Sequence, residues 1–365
     1  MALRVKLGLL ELALNRFASD FLRLISICAV LVIHSTGEFE RSFASSHRFF
    51  SAEFVGIVLN QLARFSVPVF IMLSGFALSL RYKGDLDVRE FFVRRASKIG
   101  IPFLAWTPVF LLAHQIGQHP DLMVSASGWP DALVSALGEL PAALFTYGAD
   151  YHFYFFIIIL QCYLLFPLLL RASGKVWWIL IPLHLITHAP AHLLLDQIGV
   201  HLPRFPSSFF VYWILYFFAG IRFARNAKQV HPAVALLFFI PVILEFMFYS
   251  TRDTETGNYD HFTRWTVTLF AFAVFCAAHW LAKFENRAAE IVTKGAGISF
   301  AVYIIHTTVL RILSMTPLSG NLLIIPALIA VTFSFCAFLD RVIGVSWLRT
   351  VFGLPEKMIP KGATQ

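Results

Sequence analysis

Charged side chains are scarce in this chain: Asp, Glu, Lys and Arg make up 14% of its 365 residues, against about 25% in a typical soluble domain. A water-soluble globule is excluded, because 58% of the residues are hydrophobic and too little polar surface remains to cover them. Cysteine is sparse as well. Cys28, Cys162, Cys276 and Cys336 all lie inside apolar runs, and no two have CxxC spacing, which argues against a disulfide framework or a zinc ribbon. There is no long basic stripe, so the net charge of +8 does not describe a nucleic-acid surface, and no nucleic-acid partner is expected. No internal repeat supports an inverted-repeat transporter. Residues 1–17, MALRVKLGLLELALNRF, have no small-residue cleavage site after a short apolar core. They read as an amphipathic interfacial helix rather than a signal peptide.

What the chain has in abundance is apolar length. Thirty-nine Phe and a 16% aromatic share exclude a disordered chain and suit side chains whose solvent is lipid. Runs long enough to span, roughly 17 to 25 residues, lie near 21–37, 56–80, 99–116, 152–170 and 176–195, and again near 208–224, 232–250, 264–282, 298–315 and 322–340. The predicted fold class is an all-α polytopic membrane protein of about ten transmembrane helices, with both termini cytoplasmic. Its parts are the interfacial helix 1–17, a transmembrane domain over 18–345 and a cytoplasmic tail over 346–365. Of the 29 Lys and Arg, 22 then fall on the inside and five outside (Arg41, Arg48, Arg204, Arg252, Arg264), while Arg64 and Arg311 fall within spans. Positive charge favours cytoplasmic loops, and this map obeys that rule. The stretch from about 117 to 151 has no Lys or Arg and reads as an outside loop whose apolar part, 132–146, is an interfacial or re-entrant helix.

Ionisable groups within spans are costly, which makes each one a functional hypothesis. Arg23 and His34 are eleven residues apart, about 1100° of helix, or three turns plus roughly 20°. They share a face and are separated by about 16 Å along the axis, so Arg23 is expected near one surface and His34 near mid-membrane. Arg23 alone equally suits an anchor snorkelling to headgroups. An imidazole at that depth suits a general base, or a satisfied core histidine. Glu38, one turn further on, is positioned to orient the His34 ring, or to sit at the interface as an exposed carboxylate. Arg64 lies four residues before Pro68, where a kink is expected. A guanidinium there faces protein or a water-filled cavity and can meet negative charge. Ser74 and Gly75 suit close helix packing.

Arg94, Arg95 and Lys98 fall within one turn in FFVRRASKIGIP, as positive-inside anchors or as a phosphate site. His184, His188 and His192 recur every four residues before Asp196, a spacing seen in metal ligands, but Pro182 and Pro190 interrupt the helix and no metal is expected. Glu245 lies central in the seventh run and needs protonation or a partner. His306, with Tyr303 one turn earlier, is a second mid-depth imidazole.

Together these residues resemble the integral-membrane acyltransferase family three, along essentially the whole chain. Arg23 and His34 in DFLRLISICAVLVIH match its Arg-x10-His signature, Arg64 with VPVFIMLSGF its second-span pattern, and RRASK its basic motif. YHFYFFIIILQCYLLFP, the glycine of YFFAGIRFA and SFAVYIIH match its fourth, sixth and ninth spans. Two positions depart: the family's Arg-x-x-Arg is Arg95-x-x-Lys98 here, which loses a bidentate fork, and Tyr154 replaces a customary Trp. No fused esterase-like domain follows, which implies a stand-alone enzyme.

The resemblance implies an O-acyltransferase of the bacterial cytoplasmic (inner) membrane, with acetyl-CoA as donor and a carbohydrate or exopolysaccharide hydroxyl as acceptor. Catalytic roles fall on His34 as general base, Arg64 and Glu38. Donor binding falls on Arg23, Arg94, Arg95 and Lys98, and acceptor binding on Asp150, His152, Tyr303 and His306. An acyl-histidine intermediate stays open. The lipid bilayer is the expected surrounding partner, and a homo-oligomer is compatible with the chain. The competing class is a glycan or lipid transporter whose intramembrane charges line a path without chemistry.

Overall fold

The computed structural model describes residues 2–39, 51–82, 86–118, 128–201, 206–225, 229, 231–250, 263–281 and 289–356, with backbone alone for 2–15, 147, 189–190, 192–193 and 248–250. Among these residues there are helices and turns and no strand. Six helical stretches are long and apolar enough to cross a membrane: 16–35, 52–81, 88–118, 154–171, 289–314 and 324–342. Four shorter apolar helices, 174–187, 214–223, 232–247 and 265–281, lie where the sequence predicts the other four spans. The shortest falls well below spanning length, since ten residues of helix cover only about 15 Å.

The central element is α1 (Ala2–Ser35), which continues without a break through the segment read as an interfacial helix. It packs against α2 (Ala52–Ala63), α3 (Ser66–Arg81), α12 (Trp265–Leu281), α13 (Ala289–Ser314) and α14 (Ile324–Val342). The expected interruption of the second run is present, but it falls at Arg64 and Phe65, between α2 and α3, rather than at Pro68. The reason is steric. A proline ring clashes with the carbonyl four residues earlier, here that of Arg64, and is tolerated in a helix's first turn, where Pro68 sits.

The closest backbone approach joins α3 to α10 (Ile214–Phe223). A Cβ added to Gly75 would collide with the Phe217 carbonyl oxygen, and one on Gly220 with that of Met72. Small residues let the two backbones touch, which is how helices gain packing energy where lipid offers no hydrophobic drive. The opposite extreme is α14, whose buried residues Ile324, Leu328, Thr332 and Cys336 form a single i, i+4 stripe, while Val331, Phe335 and Phe338 are exposed. One face meets protein and the rest suits lipid.

Between α4 (Val88–Arg95) and α5 (Ile101–Gln118) the helix widens into a π turn, Ala96–Gly100. The predicted apolar helix after it is α6 (Trp129–Ala142), which lies against α5 with Ala136 and Ala143 around Leu111. Then come α7 (Tyr154–Arg171), α8 (Trp177–Thr187), α9 (Ala189–Asp196) and α11 (Pro232–Ser250). Part of the segment read as a tail forms α15 (Ser346–Val351) and docks on α5, where the Trp106 indole N–H donates to the Val351 carbonyl at 2.9 Å.

One charge expected outside is buried within the protein. Arg264, counted with the outside loops, is 0% exposed just before α12, held by the Gln61 side chain and by the Val242 carbonyl at 3.3 Å. A guanidinium in an apolar interior requires such oxygen partners. Arg41, Arg48, Arg204 and Arg252 lie outside the described residues.

Candidate active site

Three elements far apart in sequence bring three imidazoles together. His34 comes from the last turn of α1, His306 from the middle of α13, and His152 from the turn that precedes α7. Ring centroids are 5.1 Å apart for His34 and His306 and 5.0 Å for His152 and His306. Tyr151 also packs against His34, at 4.8 Å. Nδ1 of His306 is 2.6 Å from the Tyr303 carbonyl oxygen, which only accepts, so Nδ1 carries the hydrogen. Nε2 therefore keeps its lone pair, and it has no hydrogen-bond partner among the described residues.

Tyr303 joins this cluster to a cavity. Its hydroxyl donates to the His152 carbonyl, and its side chain lines a cavity of about 490 Å³ between α1, α3, α7 and α13. The wall is apolar along Val30, Phe70, Phe155 and Ile159. Basic side chains are set into it: Arg23, Arg81, Arg95 and Lys98. Arg23 is paired with Asp20 at 3.1 Å, Arg95 lies over the Tyr163 ring at 5.8 Å, and Lys98 reaches Glu356 at 3.7 Å. Ser74 also faces the cavity while its neighbour Gly75 makes the contact with α10. A basic pocket with an apolar wall accepts a ligand that has an anionic end and a slender apolar arm.

The other sequence-predicted residues fall in distinct places. Arg64 is buried at the break between α2 and α3, within electrostatic reach of His34. Arg94 is absent from the cavity wall and pairs instead with Glu90 on the surface of α4. Glu38 is exposed and accepts from the Ser319 hydroxyl at 3.4 Å; the ring neighbours of His34 are Tyr151 and His306. The Asp150 carboxylate is buried, receiving Arg311 at 2.8 Å and Thr307 at 3.2 Å.

The histidine stripe lies elsewhere. His184 and His188 stack with centroids 3.6 Å apart, and His184 meets Thr268, which also meets the Tyr216 hydroxyl. Asp196 pairs with His201 at 2.9 Å, and the His192 side chain lies outside the described residues. Among the described residues no group of three His, Cys, Asp or Glu is arranged to hold a metal. Glu245 finds its partner in the Thr266 hydroxyl.

Sequence reasoning missed Asn60, which donates to the Ile33 carbonyl at 3.2 Å and to Thr36 Oγ1 at 2.9 Å, so that it brackets His34. The last carbonyls of a helix need such donors. A polar amide inside an apolar run was the available signal. Tyr151 was missed too, although it stands between two residues singled out on other grounds.

A family model described as an acyltransferase domain matches residues 16–341. Neither the curated proteins nor the solved structures include a match to the chain. The matched stretch begins ahead of Arg23 and ends in the last turn of α14, so it contains the cavity wall, its basic residues and all three clustered histidines. With nearly the full length of this membrane-helical chain under one family model, the protein belongs to acyltransferase family three.

Proposed function

We propose that the protein is a transmembrane O-acetyltransferase of the bacterial cytoplasmic membrane, moving an acetyl group from cytoplasmic acetyl-CoA to a hydroxyl of an envelope carbohydrate or exopolysaccharide. The observation that carries this is the cavity: basic side chains are set into its wall, and Tyr303, which also lines it, donates to the His152 carbonyl in the histidine cluster. In this reading the helices make ten spans with both termini cytoplasmic, the four short apolar helices included. A polyanionic donor cannot cross the bilayer, so its phosphates stay with Arg23, Arg95 and Lys98 at the cytoplasmic end. Its slender arm lies along Val30, Phe70 and Ile159 toward the histidines.

His34 then accepts the proton of the acceptor hydroxyl as its oxygen attacks the thioester carbonyl. Arg64, within electrostatic reach of His34, stabilises the negative charge that develops on the carbonyl oxygen. Collapse breaks the C–S bond, forms the ester and releases coenzyme A, whose sulfur takes up the proton.

The test is acetyl-CoA consumption and acetyl transfer by the purified protein and by His34→Ala and His34→Gln. The expected loss is about 10² to 10⁴-fold in rate, with CoA binding and melting temperature retained. Near-normal turnover per folded molecule in these variants overturns the role of His34. No donor consumption by the native protein favours a transporter instead.

A further inference from the structure

Tyr151 is absent from the cavity wall, yet its ring lies against His34 with centroids 4.8 Å apart and planes tilted by 55°. The residue is 51% exposed. Tyr303, by contrast, both lines the basic cavity and neighbours the His306 ring. A half-open aromatic residue here lies beside largely buried histidines, and hydrogen bonds hold the turn that carries it. The Tyr151 backbone N–H donates to Oδ1 of Asp150 at 2.8 Å. The other oxygen of that carboxylate receives Arg311 at 2.8 Å and Thr307 at 3.2 Å. The Asp150 side chain is only 4% exposed, and a buried carboxylate filled on both oxygens fixes the turn that carries the ring. The His152 ring meets Tyr151 edge-on at 5.8 Å. Arg311, on α13, is half exposed where it reaches Asp150. Glu38, one turn beyond His34, is exposed as well.

A half-exposed aromatic ring on a pinned turn, adjoining an imidazole and near the half-exposed Arg311, has the character of a sugar subsite. A pyranose has an apolar C–H face that lies on such a ring and a polar rim that its neighbours satisfy. A linear alcohol or a headgroup offers a hydroxyl but no flat apolar face.

We infer that Tyr151 is the acceptor platform, on which a pyranose of the acceptor stacks so that one of its hydroxyls is presented to His34. This rests on the acyltransferase reading only for the fate of that hydroxyl. Tyr151 is thus a specificity-determining residue, and Asp150 and Arg311 are positioning residues that act through it.

The experiment compares two acceptors, methyl β-glucopyranoside and n-propanol, with native protein, Tyr151→Ala, Tyr151→Phe and Tyr151→Trp, each purified and checked for folding by melting. Each variant's kcat/KM for the pyranoside is divided by its own value for n-propanol. Loss of the aromatic face in Tyr151→Ala is expected to lower that ratio about tenfold through KM, while Tyr151→Phe and Tyr151→Trp hold it within about threefold. A parallel fall for both acceptors, or no recovery in the folded Trp variant, overturns the proposal and makes Tyr151 a support for His34 alone. Equilibrium binding of radiolabelled methyl β-glucopyranoside separates this from the enzymatic reading. Saturable binding lost in Tyr151→Ala upholds the platform even if acetyl-CoA is not consumed. Absence of saturable binding and of transfer to the pyranoside by native protein that does consume acetyl-CoA overturns the platform and leaves the acyltransferase reading standing.

Discussion

Arg264 and Gln61, 203 residues apart in sequence and both wholly buried, are joined by a guanidinium-to-amide hydrogen bond. Gln61 passes the order on: its amide N–H donates to Asn60 Oδ1 at 3.4 Å, and Asn60 in turn holds the Ile33 carbonyl and the Thr36 hydroxyl. A chain of buried hydrogen bonds thus runs from the residue just before α12 to Ile33 and Thr36, on either side of His34 at the end of α1. Replacing Gln61 by Leu removes an acceptor from a buried cation. The expected destabilisation is about 1.5–3 kcal/mol, read as a lower melting temperature in detergent. Transfer per folded molecule should fall too, because the end of α1 loses its anchor.

The contact between α3 and α10 has no room for a methyl group. Gly220→Ala drives a Cβ onto the Met72 carbonyl and should cost about 1–3 kcal/mol or more, with reduced yield and melting temperature. Gly297→Ala is the control. A Cβ added at that glycine has nothing within 4 Å of it, and in a helix alanine is favoured by about 0.5–1 kcal/mol.

Basic side chains near the cavity should differ in their effect on CoA affinity. Arg95→Ala, on the cavity wall, is expected to weaken binding roughly ten- to a hundredfold, the value of a charge-assisted contact. Lys98→Ala should weaken it less, since an ammonium lacks the bidentate fork. Arg94→Ala should be nearly silent, because Arg94 is exposed, paired with Glu90 and off the wall. Calorimetric titration of CoA into the three variants checks the order, and an equal loss in Arg94→Ala would move the donor site outward.

The ten-span arrangement is checked by reporter fusions after residues 120 and 360. From the Lys and Arg asymmetry these points are expected on opposite sides of the membrane. A shared side for both would require a different helix count.

Among the described residues, hydropathy located the six helices long and apolar enough to span and the four shorter apolar ones, because lipid demands apolar character all along a span. Helix geometry also anticipated that Arg23 and His34 lie on one side of α1, since that relation is local. The convergence of His34, His152 and His306 was not legible, because it depends on how α1, α7 and α13 pack. Arg264 illustrates the limit most clearly. At the edge of an apolar run, a charge looks like a loop residue unless its partner is known, and that partner is in another helix. Glu38 shows the reverse: the local spacing suggested service to His34, while the nearby loop supplied Ser319 as its hydrogen-bond donor.

The π turn at Ala96–Gly100 amounts to one surplus residue absorbed without a loop. Relative to an uninterrupted α-helix, it offsets the two flanking segments by about 100° of rotation and 1.5 Å of rise. Arg95 stands just before the offset and Lys98 within it, so their spacing along the chain misstates their spacing around the axis. The cavity rim is therefore more exposed to a change in chain length than to a change in side chain. Deleting Ile99, for example, would leave charge untouched and take one apolar residue from a long apolar stretch, yet it would turn Arg95 out of register with every residue of α5.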